Sequence, residues 1–551
     1  MFGQRYIKRS LLTILSLGMF SPICDLYAQK NTKQKNANQK NSKKSQSLKT
    51  ATAPSLDRSF DDVKKDFRHA DANHAQLWAA LQPIDAQIKD LRLENQVSIL
   101  QLQASILHKS GYPYLSSIYA SEAINRAPKP MAPQLAIAWS TLNQSRSRRP
   151  MQQMIEDLAA SVSEKSKDGP SVFGNSWFYY LANAEQARGN AKLALEYYGR
   201  LRINDYHFLS AQYQIAMIHL ANNRKSDAES ALKSMLNSVS QTLAPLSKDT
   251  LKEMSNYAKI ALARLYYQDE KFVNAIKFYR SVDRDSQLFY DSLFEQSWAF
   301  FMAGYPNHSL GAVYSVESPF FKDVYNPEST LLRAVVNYWM CRYDDSKSAL
   351  AEFTTKHADA VETLGDYLSR KRLTDESAYQ LFENHVSGVS SKSLGMPRSV
   401  LESAAVTESM MLLRAQYAGL VGEMDLFEKQ GVFGSRQSKR ATERLESHLQ
   451  KFRKKIGGQY IVELQSMQKS FERLYEQSQF LYVELLMSER EQLLGRELHA
   501  SSKMDVVTRR KNIAGWGDKT QAWGDNRLNE FWWDEVGFYI HDAKPMCKTS
   551  N

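Results

Sequence analysis

The side chains that most often carry catalysis or hold metal are present in this chain but do not converge. Its eleven histidines are scattered. The His-Glu-x-x-His pattern, which puts two imidazoles and a base on one helical face, is missing, and His69 and His74 stand at no common ligand spacing. The acidic pairs Asp61/Asp62, Asp344/Asp345 and Asp534/Glu535 are adjacent in sequence. Adjacent residues diverge on a helix, so none supplies the facing carboxylates of general acid–base work. No glycine loop ending in Lys-Ser/Thr cradles a phosphate, and Gly457-Gly458 lacks the spacing for one. The expectation is a chain that is not an enzyme, with no catalytic residues, no cofactor and no metal.

The residue types that do concentrate are those of recognition. Trp516, Trp523, Trp532 and Trp533 crowd into the last segment, within Ala514-Gly-Trp-Gly-Asp518, Ala522-Trp-Gly-Asp525 and Phe531-Trp-Trp-Asp-Glu-Val-Gly-Phe-Tyr539. Such a tail can fold back on the helical body, dock a partner, or stack on sugar rings. The Trp-Trp-Asp-Glu-x-Gly-x-Tyr run resembles the tail of envelope repeat proteins of gliding and predatory bacteria.

Charge is unevenly placed. The formal net charge is +11, of which residues 1–28 carry +2 and residues 29–56 carry +7, leaving about +2 for the body. That distribution argues against a nucleic-acid-binding body. Residues 1–28 read as a signal peptide: Arg5, Lys8 and Arg9, an apolar run from Leu11 to Phe20 too short to span a bilayer, then Pro22 and Ala28. Cleavage after Ala28 would make the protein periplasmic or otherwise extracytoplasmic, with no transmembrane span left. Cys24 follows Ile23 where lipidation wants a small residue, which disfavours a lipoprotein. Residues 29–56 hold seven lysines and almost nothing apolar, a disordered linker that could touch an anionic envelope surface. Cys341 and Cys547 are too few for a disulfide framework. Export permits their pairing, but one buried and one unpaired thiol is the reading favoured from sequence.

Recognition residues need elements to hold them, and these recur with a beat near 34 residues. Two small residues twelve apart repeat as Ala104/Ser116, Ala182/Ala194, Ala216/Ala228, Ala263/Ala275, Ser297/Ser309 and Ala334/Ser346, with a degenerate Ala138/Pro150 pair. Phe178, Leu181, Gly189, Tyr198 and Leu201 complete the frame around Ala182 and Ala194. This resembles the tetratricopeptide repeat, although Glu185 stands where that family usually has an aromatic. The resemblance implies an all-α, right-handed solenoid over 57–356 whose concave groove binds other proteins. First helices face that groove in the family, which marks Tyr179, Gln186, Tyr213, His219, Tyr267 and Asn337 as candidate partner-binding residues, alongside Trp516, Trp523, Trp532 and Trp533.

Beyond the repeats, 357–430 reads as helical capping or degenerate repeats. Residues 431–500 read as long charged helices with a stripe at Leu445, Leu449, Phe452, Ile456, Tyr460, Leu464, Met467, Phe471, Leu474, Leu481 and Leu485. Gly457-Gly458 should break that stripe, as a hairpin turn or a kink; residues 501–551 form the Trp-rich tail. The function expected is an exported scaffold organising a cell-envelope complex. A wall-glycan binder using the basic arm and tryptophans is one alternative, and a divergent helical wall-modifying enzyme another.

Overall fold

The computed structural model describes residues 63, 65, 74–86, 88–127, 176–322, 324–370, 373–430, 435–494, 521–523 and 531–547. These are mostly helical. In chain order the first thirteen helices are α1 (His74–Ala86), α2 (Leu93–Lys109), α3 (Pro113–Arg126), α4 (Ser176–Ala187), α5 (Ala191–Tyr198), α6 (Phe208–Ala221), α7 (Lys225–Val239), α8 (Lys248–Gln268), α9 (Phe272–Tyr279), α10 (Phe289–Met302), α11 (Pro306–Val316), α12 (Pro327–Trp339) and α13 (Tyr343–Arg370). They are followed by α14 (Asp375–Val386), α15 (Ser391–Leu394), α16 (Arg398–Ala405), α17 (Glu408–Gln430) and α18 (Ser435–Leu493). Two three-residue strands, β1 (Gln521–Trp523) and β2 (Tyr539–His541), pair in parallel with Gln521 opposite Tyr539.

The twelve small residues of the six repeats are all fully buried, each at 0% exposure. Between the members of every pair the backbone makes the same turn. Seven residues after the first small residue, φ is positive: 89° at Gly111, 83° at Gly189, 61° at Asn223, 58° at Glu270, 82° at Gly304 and 56° at Cys341. The next N–H then reaches back to the carbonyl five residues earlier, from Tyr112 to Leu107, Asn190 to Glu185, Arg224 to His219, Lys271 to Tyr266, Tyr305 to Phe300 and Arg342 to Asn337, all at 2.8–2.9 Å. This closes the first helix on its own last turn and reverses the chain. The carbonyl of that same residue accepts from the second small residue, for example Ser116 to Tyr112 at 2.9 Å and Ala275 to Lys271 at 3.1 Å, which starts the next helix. In two repeats the crossing is also sealed by a side chain: Ser116 Oγ donates to Ala104 O and Ser346 Oγ to Ala334 O, both at 2.8 Å. Tyr198, Tyr266, Tyr279, Phe300 and Leu350 fill the adjoining volume and are buried. The Ala138/Pro150 pair lies outside the described residues.

Glu185, the departure from the aromatic pattern, is buried with its charge met. It pairs with Arg188 and accepts from Asn190 Nδ2 at 2.6 Å, so the turn itself satisfies the carboxylate.

The described residues form two compact units, one from Gln212–Met410 with those from Gly457 onwards, the other from those up to Ala211 with Met411–Ile456. In the second, Trp78, Leu81, Val97, Leu100, Ile106 and Tyr119 pack with Leu420, Phe427, Ala441, Leu445 and Leu449. Asp85, buried there, faces Arg440 at 3.4 Å and Arg444 at 3.6 Å, and the Arg444 guanidinium lies 4.4 Å over the Tyr119 ring. Glu423 reaches the start of α3 and accepts the N–H groups of Tyr114 and Leu115 at 2.6 and 2.7 Å, filling the donors a helix start leaves open.

In the first unit consecutive helices from α7 to α13 are packing neighbours. The long C-terminal segment corrects one of the two alternatives. There is no hairpin at the glycines, because α18 is one continuous helix of 59 residues. Gly457 is needed for another reason: a Cβ there would stand 1.8 Å from the Asp375 carbonyl oxygen, so α14 can meet α18 backbone to backbone only across a glycine. The apolar stripe is satisfied within the chain, with Ile456, Tyr460, Leu464, Phe471, Leu474, Leu481 and Leu485 all buried. Tyr460 Oη donates to Leu401 O at 3.0 Å, and Lys347 pairs with Glu489 at 2.5 Å.

Glu270 is exposed and holds the left-handed turn without help from packing. An L-residue there costs about 1–2 kcal/mol, which glycine avoids while losing about 0.5–1 kcal/mol of chain entropy. Glu270→Gly should therefore raise unfolding free energy by about 0.5–1 kcal/mol in a urea titration. A loss of stability would refute the strained-turn account.

Candidate functional site

The residues expected to contact a partner are placed as follows. Tyr179 is buried and stacks on His207 with ring centres 4.3 Å apart. Gln186 accepts from Tyr198 Oη at 2.9 Å. Tyr213 meets Tyr257 edge-on at 6.1 Å. His219 is half-buried with Asp227 at 4.0 Å, and desolvation, then Arg224, lowers its pKa. Asn337 is buried and donates to Arg333 O of its own helix at 3.0 Å. Trp516 lies outside the described residues, and of Trp523 only the backbone on β1 is described.

Tyr267 is the one that leads to a site. Its ring is 1% exposed against Phe272, and its hydroxyl meets no protein hydrogen-bond partner. A buried hydroxyl left this way costs about 1–3 kcal/mol. The same oxygen is within electrostatic reach of Glu295 and Glu328. Glu295, on α10, is buried and engaged by Arg264 of α8 through a two-pronged contact at 2.6–3.1 Å. Glu328, on the first turn of α12, is half-buried. Burial, with Glu295 adding, pushes the Glu328 carboxyl up to about 7 against the pull of Arg473. Asp291, one turn before Glu295, is exposed to solvent. Among the described residues no ion pair closes on Asp291 or Glu328.

These acids were not singled out from the sequence, but a signal was available. Asp291 and Glu328 stand at one repeat position, six residues before Ser297 and Ala334 respectively. An acid recurring in register on α10 and α12, which pack together, puts two like charges along one face.

The tail is bound to the body of the same unit. Arg284 donates to the carbonyls of Trp533, Asp534 (2.8 Å) and Val536 (3.0 Å), and Gly537 N donates to Ser315 Oγ at 2.9 Å. Phe531 stacks on Tyr314 at 4.5 Å, and β2 runs so close to α11 that a Cβ on Gly311 would stand 1.9 Å from Tyr539 O. Trp533 lies among Phe289, Phe320 and Phe321 yet stays 42% exposed, and Trp532 is 59% exposed. The expectation of unpaired thiols is overturned: Cys341 and Cys547 form a disulfide, with Met546 N donating to Met340 O at 2.8 Å beside it. The left-handed turn at Cys341 presents its side chain where the docked tail ends.

A second surface lies on α18. Phe480, Val483 and Met487 are 53–71% exposed and recur at three- and four-residue spacing, opposite the buried stripe.

No helix among the described residues is long and apolar enough to cross a membrane, and no group of three His, Cys, Asp or Glu there could hold a metal ion. No known family model matches this chain, and no curated protein matches it either.

Two measurements test this description. The Glu328 carboxyl is raised on folding, so the folded state binds its proton more tightly. Its contribution to stability is therefore lost as pH rises from about 4.5 to about 7. His308 and His357, both lowered to about 4 by burial, act in the opposite sense below about 6.5, so the parent's own pH profile mixes the two. The stability difference isolates the acid: Glu328→Gln should match the parent near pH 4.5 and exceed it by about 1–3 kcal/mol at pH 8. A constant difference would place the charge in water. Separately, the disulfide spans 206 residues. Cys547→Ser should lose up to roughly 5 kcal/mol in the chain-entropy account and open 531–547 to proteolysis, whereas an unchanged digest would show that the tail holds without the bridge.

Proposed function

We propose that this is an exported, non-catalytic scaffold of tetratricopeptide-like helix pairs that binds other envelope proteins by multivalent docking. The observation carrying this reading is the six-fold recurrence of one turn geometry with two fully buried small residues twelve apart. Helix pairs of that kind cannot hide their apolar faces alone and adopt a shared curved surface with their neighbours. The basic leader followed by an apolar run supports export, as does the Cys341–Cys547 bridge, because disulfides persist in oxidising compartments. Two surfaces offer binding chemistry: the acidic face of α10 and α12, and the apolar ridge of α18.

The exposure of Trp532 and Trp533 keeps one rival in view, a surface for wall glycan. A photo-crosslinking residue at exposed Gln287, beside the acidic face, or at Met487 on the ridge, should capture discrete envelope proteins in the native cell. The same residue at exposed Glu446 should not. Equal capture from all three positions would sink the scaffold reading. Retention on purified wall material that disappears in a Trp532→Ala, Trp533→Ala double variant would move the conclusion to the glycan binder.

A further inference from the structure

Resting on the reading that the ridge of α18 is a docking surface, we propose that its occupant is a second copy of this chain, laid antiparallel so that the two ridges pack into one another. The pairing gives the scaffold two sets of binding surfaces, which multivalent docking needs.

The ridge has the composition of one half of a helix pair. Phe480, Val483 and Met487 are 71%, 53% and 58% exposed, and Leu486 beside them is 42% exposed. Spacings of three and four keep the first three on one side of α18, while Leu481, Leu485 and Ser488 are buried on the other. A helix side meant for water carries charge at such places. Here four large apolar side chains line one strip instead, which marks a surface that another helix covers.

The ends of the strip select the partner. Glu476 stands one turn before Phe480 and Arg490 three residues after Met487, both exposed and in the same three-and-four register. Among the described residues no ion pair closes on either. A parallel second copy sets Glu476 against Glu476 and Arg490 against Arg490, whereas an antiparallel one brings opposite signs together. With a two-fold axis beside positions 481 and 482, Phe480 and Val483 of each copy meet Val483 and Phe480 of the other, and Met487 meets the stem of Glu476. Arg490, whose side chain leans toward the start of its own helix, then comes back over the other copy's Glu476 carboxylate. Both charges are thereby closed, twice over, around one apolar centre. Anionic lipid is a poor occupant, because residues 471–493 carry five glutamates against two arginines.

Sedimentation velocity of the full chain tests this. A monomer–dimer equilibrium is expected, with the dimer dominant by about 100 μM, as befits a small interface. Val483→Asp, at an exposed position, should give a monomer with an unchanged circular dichroism spectrum. Glu476→Arg and Arg490→Glu should each weaken the dimer roughly tenfold, and the double variant, which exchanges the two charges, should restore it. With a photo-crosslinking residue at Met487 in an equal mixture of isotopically light and heavy chain, light-to-heavy linked peptides should join it to the other copy's segment around Glu476 and Phe480. A chain still monomeric at that concentration overturns the inference, as does a dimer indifferent to Val483→Asp or a double variant no better than the single ones. If such a monomer captures a different envelope protein from Met487 in the native cell, the ridge belongs to that partner and the scaffold reading stands. If neither Met487 nor Gln287 captures anything, that reading falls as well.

Discussion

Two helices can run side by side at backbone contact only if nothing bulky stands at their crossing and the chain between them reverses in a few residues. Both conditions are met six times here by the same means. A methyl or hydroxymethyl group sits at each of two positions twelve apart, and one left-handed residue lies between them at a fixed place. The turn is specified by hydrogen bonds more than by residue type, since asparagine, glutamate and cysteine occupy the strained position as well as glycine. Backbone geometry is enforced there by the hydrogen bonds that close the first helix and start the second, which is why the sequence tolerates three non-glycine residues at a conformation they disfavour.

Once the crossings are fixed, whatever stands at a given place in one repeat is presented in register with its counterpart in the next. That is how Asp291 and Glu328 come to stand at the same place in successive helix pairs. The same regularity prepares α10 and α11 for the tail. Arg284 offers its guanidinium to three carbonyls, Gly311 lets β2 approach, and Cys341 at the last of the six turns receives Cys547. The aromatic tail is therefore largely a structural part of its unit, with the outer faces of Trp532 and Trp533 left to solvent.

Close approach also explains where periodicity misleads. Paired glycines inside a helical pattern read as a break, because in isolation their chain entropy disfavours helix. In α18 the lost propensity at Gly457 is outweighed by contact with α14 that any side chain would prevent. The sequence could not show this, since the partner backbone at Asp375 lies 82 residues away in the chain.

The sequence by itself determined the helical character, the positions of the small residues and the length of each pair, because these depend on spacing within about 35 residues. It also located the apolar stripe of α18, for the same reason. What only the tertiary structure decided were the relations between distant segments: the pairing of Cys341 with Cys547, the continuity of α18, the docking of the tail, and the burial of the Tyr267 hydroxyl without a partner. Each of these depends on which surfaces meet in space and how much water they exclude, and neither quantity is encoded by any local pattern of residues.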